Sequence, residues 1–159
     1  MTESNEKAAE VRMSRKYLDL VSLINKRLNH FPAHERQGLA LMLRNKAYLI
    51  SDYLIDAQKS WHKMTPINRL DTAHEQLRML VFMAYREGYF AHPLPRNLDP
   101  GISEAALNKI KEEQNKDRFS KLTVLVDEVG KMIGGWKNKI IEEEKARKEA
   151  AEAKKQAAA

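Results

Sequence analysis

Cysteine is missing from the chain altogether. Its absence excludes a disulfide framework and a thiolate metal site, and it fits a reducing compartment. Glycine and proline are scarce, six and five residues respectively, so few breakers are available to separate short strands. No segment alternates apolar and polar side chains over more than a few positions, and a strand-rich fold has no support. Nor does any apolar run approach the roughly 20 residues that cross a bilayer. The opening stretch, Met1 to Glu10, is polar and acidic, the wrong character for a signal peptide. The expectation is a cytoplasmic protein.

What remains is enough for one folded domain. Of the 159 residues, 43% are apolar and 31% charged, a balance that suits a soluble chain able to bury a core. The net charge is +6 and the isoelectric point about 9.5. A basic balance favours polyanionic partners through counterion release. Charge alone does not decide the matter, because many basic proteins bind no nucleic acid.

Helical spacing appears four times. Tyr17, Leu20, Val21, Ile24, Leu28 and Phe31 mark a first helix over roughly residues 7–30, which Pro32 ends. A second helix runs from about 33 to 60. Leu39, Leu41, Met42, Leu43, Tyr48, Leu49, Ile50, Tyr53, Leu54 and Ile55 make it apolar on more than one face, which demands burial on more than one side. Thr65 as N-cap and Pro66 at the first helical position open a third helix, expected to reach about Phe90. Its inward stripe is Leu70, Ala73, Leu77, Leu80, Val81, Ala84 and Gly88, and Met79, Phe82, Met83, Tyr89 and Phe90 add a second apolar surface. Such surplus predicts self-association. Residues 91–102 hold Pro93, Pro95, Pro100 and Gly101 and read as a loop, with a short polar helix from Ser103 to about Asn115. In the last main helix Leu122, Leu125, Val129, Met132, Trp136 and Ile140 recur at heptad-like spacing. The remaining EEEKARKEAAEAKKQAAA has helix propensity but no face to pack. The division expected is a flexible segment 1–12, a bundle domain 13–141 and a low-complexity charged tail 142–159, frayed or disordered. The fold class is all-α, with an antiparallel up-down four-helix bundle as the leading architecture.

No catalytic constellation emerges. His74-Glu75 begins like a zinc-protease helix, but Arg78 stands where the second His is needed. There is no phosphate-cradling glycine loop, no nucleophile elbow and no Glu-x-x-His pair of the di-iron type. The histidines 30, 34, 62, 74 and 92 read as surface residues. Arg69 with His74, and Arg86 with His92, match the Arg-to-His spacing of some helical ribonucleases. With eleven Arg and five His, about one such match arises by chance. The expectation is a protein without catalysis, metal or cofactor.

The basic residues carry more. Arg78, Phe82 and Arg86 lie at successive i+4 steps beside the apolar stripe of the third helix. They offer a contact surface for phosphate or an acidic partner, since arginine suits bidentate recognition. An ordinary solvated rim, with Arg78 near Glu75 and Arg86 near Glu87, is the competing reading. Arg36 and Arg44 on the second helix divide the same way. Lys121, Lys131, Lys137 and Lys139 form the wet face of the fourth helix, with Lys131 kept among the candidate contacts. Gly130 and Gly134 share a face of that helix, where each costs about 1 kcal/mol relative to Ala. Close packing through Trp136 is the gain expected in return.

Three stretches together resemble a known family. EVGKMIGGW (Glu128–Trp136) is similar to the last-helix signature of the accessory variability proteins of diversity-generating retroelements. FPAHER (Phe31–Arg36) resembles that family's turn into its second helix, and AHEQLRML (Ala73–Leu80) its third helix. The resemblance spans roughly residues 12–141, and its last motif is moderately specific. The wider family includes proteins encoded in ribosomal RNA intervening sequences. The resemblance implies ring-shaped homopentamers of four-helix protomers with a basic surface. It also implies binding to a reverse transcriptase and its template RNA, in support of mutagenic complementary-DNA synthesis, with no catalysis of their own. No polymerase carboxylate motif occurs here, so the enzyme would be a separate chain. The family's Leu-Arg step falls on Leu77-Arg78. A second Arg expected four residues on is Phe82, with Arg86 a turn later as its substitute. The polar segment 103–118 is longer than the family's usual approach to the last helix.

Overall fold

A computed structural model describes residues 2–159, with side chains from Glu3 onward. The chain is all-α: α1 Thr2–Leu28, α2 Leu39–Lys59, α3 Met64–Arg86 and α4 Glu104–Ala157, with 3-10 turns at Ala33–Glu35 and Tyr89–Ala91. No strand occurs among the described residues. α1 packs on α2 and α4, and α3 packs on α2 and α4, so each helix has two neighbours and one core lies between them.

The core follows helical periodicity. Met13, Tyr17, Leu20, Ile24 and Leu28 are the buried line of α1. On α2 the line is Leu39, Ala40, Leu43, Ala47, Ile50, Leu54 and Ala57. Its alanines let neighbours come close, and the Tyr17 hydroxyl donates to the Ala47 carbonyl. α3 buries Ile67, Leu70, Ala73, His74, Leu77, Leu80, Val81 and Ala84. α4 buries Leu122, Val126, Val129, Ile133 and Ile140. Each fully buried Leu or Ile contributes about 1.5–3 kcal/mol of transfer free energy.

Several boundaries differ from the sequence reading. Residues 2–12 are helical and continue into the bundle's first helix. α2 begins at Leu39, not 33, because the chain first turns through Ala33–Glu35. Glu35 then closes the gap: its Oε2 accepts the Leu39 N–H at 2.7 Å. Thr65 is not the N-cap of α3. That position is Lys63, whose carbonyl accepts the Ile67 N–H at 3.0 Å. α3 stops at Arg86, and Gly88 belongs to no stripe: at φ 75 it supplies the left-handed step that only glycine takes freely. The short polar helix and the last main helix are one element, opened by Ser103, whose Oγ accepts the Ala106 N–H at 3.2 Å. At 54 residues, α4 is about 81 Å long at the usual rise, against about 32 Å for the 21 residues of α2. The tail 142–159 is helical through Ala157, although side chains 145–159 are all exposed. Its Ala, Glu and Lys composition sustains the helix without a packing face.

Candidate functional site

The resembling motifs lie at two joints, one where the second and third meet and one built by the first alone. The first lies between α3 and α4. His74 is 1% exposed, a correction to the surface reading of all five histidines; His30, His34 and His62 are exposed and His92 is half-buried. Its Nε2 lies 2.8 Å from the Val126 carbonyl oxygen, so Nε2 carries the proton and donates. Helical register places Gly130 four residues beyond Val126. A Cβ on Gly130 would stand 3.2 Å from His74 Nε2 and 2.8 Å from an Arg78 guanidinium nitrogen. The glycine therefore clears the point where imidazole and guanidinium reach α4. Arg78 Nη1 pairs with Asp127, and its Nε with Glu75 at 3.4 Å. Nearer the start of α3, Lys137 reaches Asp71 at 2.7 Å. Burial holds the His74 pKa below its ordinary value, and Nδ1 is buried without a partner. The imidazole is a neutral structural group.

The second joint is built by the turn Phe31–Arg36. Glu35 Oε1 accepts the Tyr89 hydroxyl at 2.7 Å while Oε2 holds Leu39. The Leu39 N–H, then Tyr89, lower the Glu35 pKa, and Tyr89 is pushed up to about 12 by donating to that carboxylate. A Cβ on Gly38 would lie 2.4 Å from Glu35 Oε2, so a side chain there would push the carboxylate off the Leu39 N–H. Phe31 packs at 5.5 Å on both Tyr89 and Phe90. Asn115 bonds the Phe90 N–H at 3.0 Å and the Tyr85 carbonyl at 2.9 Å, and Arg118 donates to the Phe90 and Pro93 carbonyls. The polar first part of α4, through Asn115 and Arg118, thus secures this end of the molecule.

The candidate contact residues do not form one cluster. Arg36 is exposed on the turn into α2, Arg44 is half-buried near Asn29 at 3.4 Å, and Arg86 is exposed at the end of α3. Lys131 is exposed on α4 and borders a groove of about 600 Å³ with Met13, Met132, Trp136 and Ile140. Arg36, Arg86 and Lys131 have no ion-pair partner among the described residues. Arg78 differs from these, being engaged within the chain. Phe82 is exposed and lies 6.2 Å from Phe119.

Of the packing candidates, Gly130 makes the close approach expected of it, but Gly134 does not. A Cβ at Gly134 or Gly135 would meet nothing within 4 Å. Trp136 is half-buried, with Lys63 Nζ 5.8 Å from the ring centroid. The fourth-helix stripe is rotated from the one read in the sequence: Val126 and Ile133 are buried, while Leu125, Met132 and Trp136 are half-buried against the core.

The second apolar surfaces of α2 and α3 are present in part: Tyr89 and Phe90 do not belong to that of α3, since both lie past its end, Phe90 buried and Tyr89 half-buried. Leu41, Met42, Tyr48, Leu49 and Ile55, and Met79, Phe82 and Met83, are all exposed. Sequence reasoning missed Asp127, the carboxylate opposite Arg78, and Trp61, 89% exposed on the α2–α3 turn. The one available signal for Trp61 was its place between helices in a stretch without an apolar stripe. Among the described residues no group of three acidic or histidine side chains gathers as a metal site, and no helix is long and apolar enough to cross a membrane. No family model matches this chain, and no curated protein matches it.

Proposed function

We propose that this chain is a non-catalytic accessory subunit. It binds a reverse transcriptase and its template RNA and supports mutagenic complementary-DNA synthesis in a diversity-generating retroelement, in the cytoplasm. The observation that carries the reading is the joint role of the resembling motifs: Glu35 of the first, His74 and Arg78 of the second, and Gly130 of the third each sit at an inter-element contact. The +6 charge supports a polyanionic partner.

The protomer is an antiparallel up-down bundle in this reading. Lys16 with Glu128 and Glu6 with Lys139 pair rising α1 numbers with falling α4 numbers, which supports it. The exposed apolar residues of α2 and α3 support a homo-oligomer, and the family resemblance makes it a pentameric ring. Arg36, Arg44, Arg86 and Lys131 remain contacts for RNA or enzyme. Arg78 serves through the joint it closes.

The test joins three measurements: size in solution by light scattering, co-purification with a reverse transcriptase encoded beside the gene, and RNA affinity across salt. An oligomer that retains the enzyme and loses RNA affinity as salt rises is the expected result. A strict monomer with salt-independent affinity would end the reading. An oligomer with no such enzyme nearby would favour the second reading, a structural bundle of the ribosomal intervening-sequence type.

A further inference from the structure

Trp61 is the most exposed large apolar side chain of the described residues, at 89%. It is not on a loose segment. The Ser60 N–H donates to the Asp56 carbonyl at 2.8 Å, and Ser60 Oγ donates to the His62 carbonyl at 2.9 Å. Lys63 Nζ binds the Ala57 and Gln58 carbonyls, each at 3.0 Å, closing the end of α2. The turn is thus fastened on both sides of an indole that touches solvent on nearly all of its surface. In sequence it is flanked by Lys59, Ser60, His62 and Lys63, and no acidic side chain occurs from Ala57 to Leu70; on its other side Lys63 borders the groove that Glu6, Met13, Trp136 and Ile140 line.

A groove of about 390 Å³ lies between α2 and α3 and ends at Thr65, four residues from Trp61. Lys46, Tyr53, Asn68, Arg69, Thr72 and Gln76 line it around a floor that includes Leu49 and Ala73, and the lining has no carboxylate. Lys46 Nζ donates to Gln76 Oε1 at 2.7 Å. Arg69 is exposed and has no ion-pair partner among the described residues. Cations, hydroxyls and amides without acid suit phosphate and sugar. A flat aromatic face on the turn that leads into the groove suits an unpaired base, because every base has a face to stack while duplex bases are already covered.

We infer that the α2–α3 turn and groove form a single-stranded nucleic-acid site, with one base stacked on Trp61 and phosphates further along the strand held first by Arg69 and then by Lys46. The inference rests on the nucleic-acid part of the proposed function and gives it a location away from Arg78.

The test uses the full chain and a labelled single-stranded RNA of about 12 nucleotides, a length within the range that one such site covers. Anisotropy gives affinity and tryptophan emission reports stacking. Wild type should bind with quenching, and single-stranded DNA should quench as well. A blunt-ended duplex without unpaired bases should not quench. Trp61→Ala should lose affinity roughly tenfold, consistent with the loss of one stacked base, lose the quenching, and keep its thermal midpoint. Trp61→Phe should recover most of the affinity. Arg69→Gln should lower the slope of log affinity against log salt by about 1. Wild-type binding that Trp61→Ala and Arg69→Gln leave unchanged would overturn this site while leaving RNA binding elsewhere intact. No binding of either nucleic acid at about 50 mM salt would overturn both the site and the nucleic-acid reading. Loss of self-association in Trp61→Ala with unchanged affinity would also overturn it, making the turn a contact between copies.

Discussion

The two flanks of α3 use similar residues to different ends. On the flank facing α4, Asp71, Glu75 and Arg78 are joined to Lys137 and Asp127 or to one another, and His74 is bonded to the α4 backbone. On the flank facing α2, Asn68, Arg69, Thr72 and Gln76 line an open groove whose one cross-helix polar bond is Lys46 to Gln76. The first flank is a closed joint and the second a surface. A basic residue opposite a carboxylate on the next helix belongs to the fold, whereas one opposite neutral polar groups stays available to a partner. Spacing along α3 does not separate these cases, since Arg69 and Arg78 are two of its three evenly scattered arginines.

The largest consequence of that difference concerns His74. His74→Ala leaves a cavity and removes the side-chain donor to the Val126 carbonyl, and it should cost about 3 kcal/mol in urea unfolding. Arg69→Ala on the opposite flank should stay within about 0.5 kcal/mol. Next comes Gly130→Leu, which must displace imidazole and guanidinium together and should cost about 2 kcal/mol.

Acid should find the same joint. The unfolded chain protonates this histidine near the ordinary value of about 6.5. The folded chain does so only at lower pH, because burial disfavours the charged ring. The unfolded state therefore binds more protons between the two values. Stability should be unaffected above that interval and fall by up to about 1.4 kcal/mol per pH unit as pH drops through it. His74→Phe should remove the slope. The lowered carboxylates Glu6 and Glu35 act in a separate window, as pH falls below their ordinary 4.5.

Smaller effects follow at the partly exposed pair. Arg78→Ala should cost no more than about 1 kcal/mol, since solvent screens the ion pair with Asp127, and Arg86→Ala should cost nothing measurable by thermal melting. Smallest is Gly134→Leu. With open space where the side chain goes, helix propensity should make it neutral or stabilising by about 0.5 kcal/mol. A cost equal to that of Gly130→Leu would show that Gly134 serves a contact with another chain.

Much of the fold was legible because period 3.6 dominates the apolar pattern. The buried lines of α1 and α3, the Ser103 cap and the surplus apolar faces of α2 all follow from spacing. What was not legible depends on partners distant in sequence. Val126 and Ile133 replace Leu125 and Met132 in the core because α1 and α3 together set the rotation of α4. Gly130 and Gly134 read alike, yet only the first faces His74 and Arg78. Glu35 shortens α2 through a carboxylate cap that its own segment supplies, a signal that was present in the sequence but competed with Pro32, which can itself open a helix. For the candidate site, Arg78 was found by spacing and resemblance, but its role turned on Asp127, 49 residues away. Trp61 was passed over because it belongs to no stripe, and an aromatic between helices shows its exposure only once the turn is built.

The division of α3 into a closed and an open flank is tested most directly by photo-crosslinking. The full chain would be bound to single-stranded RNA carrying 4-thiouridine, irradiated, and its adducts mapped by mass spectrometry. Adducts at Trp61 and within the peptides holding Lys46 and Arg69, with none on the peptide holding Arg78 and its partner Asp127, are the predicted result. Adducts concentrated at Arg78 and Asp127, with Trp61 unmarked, would contradict it.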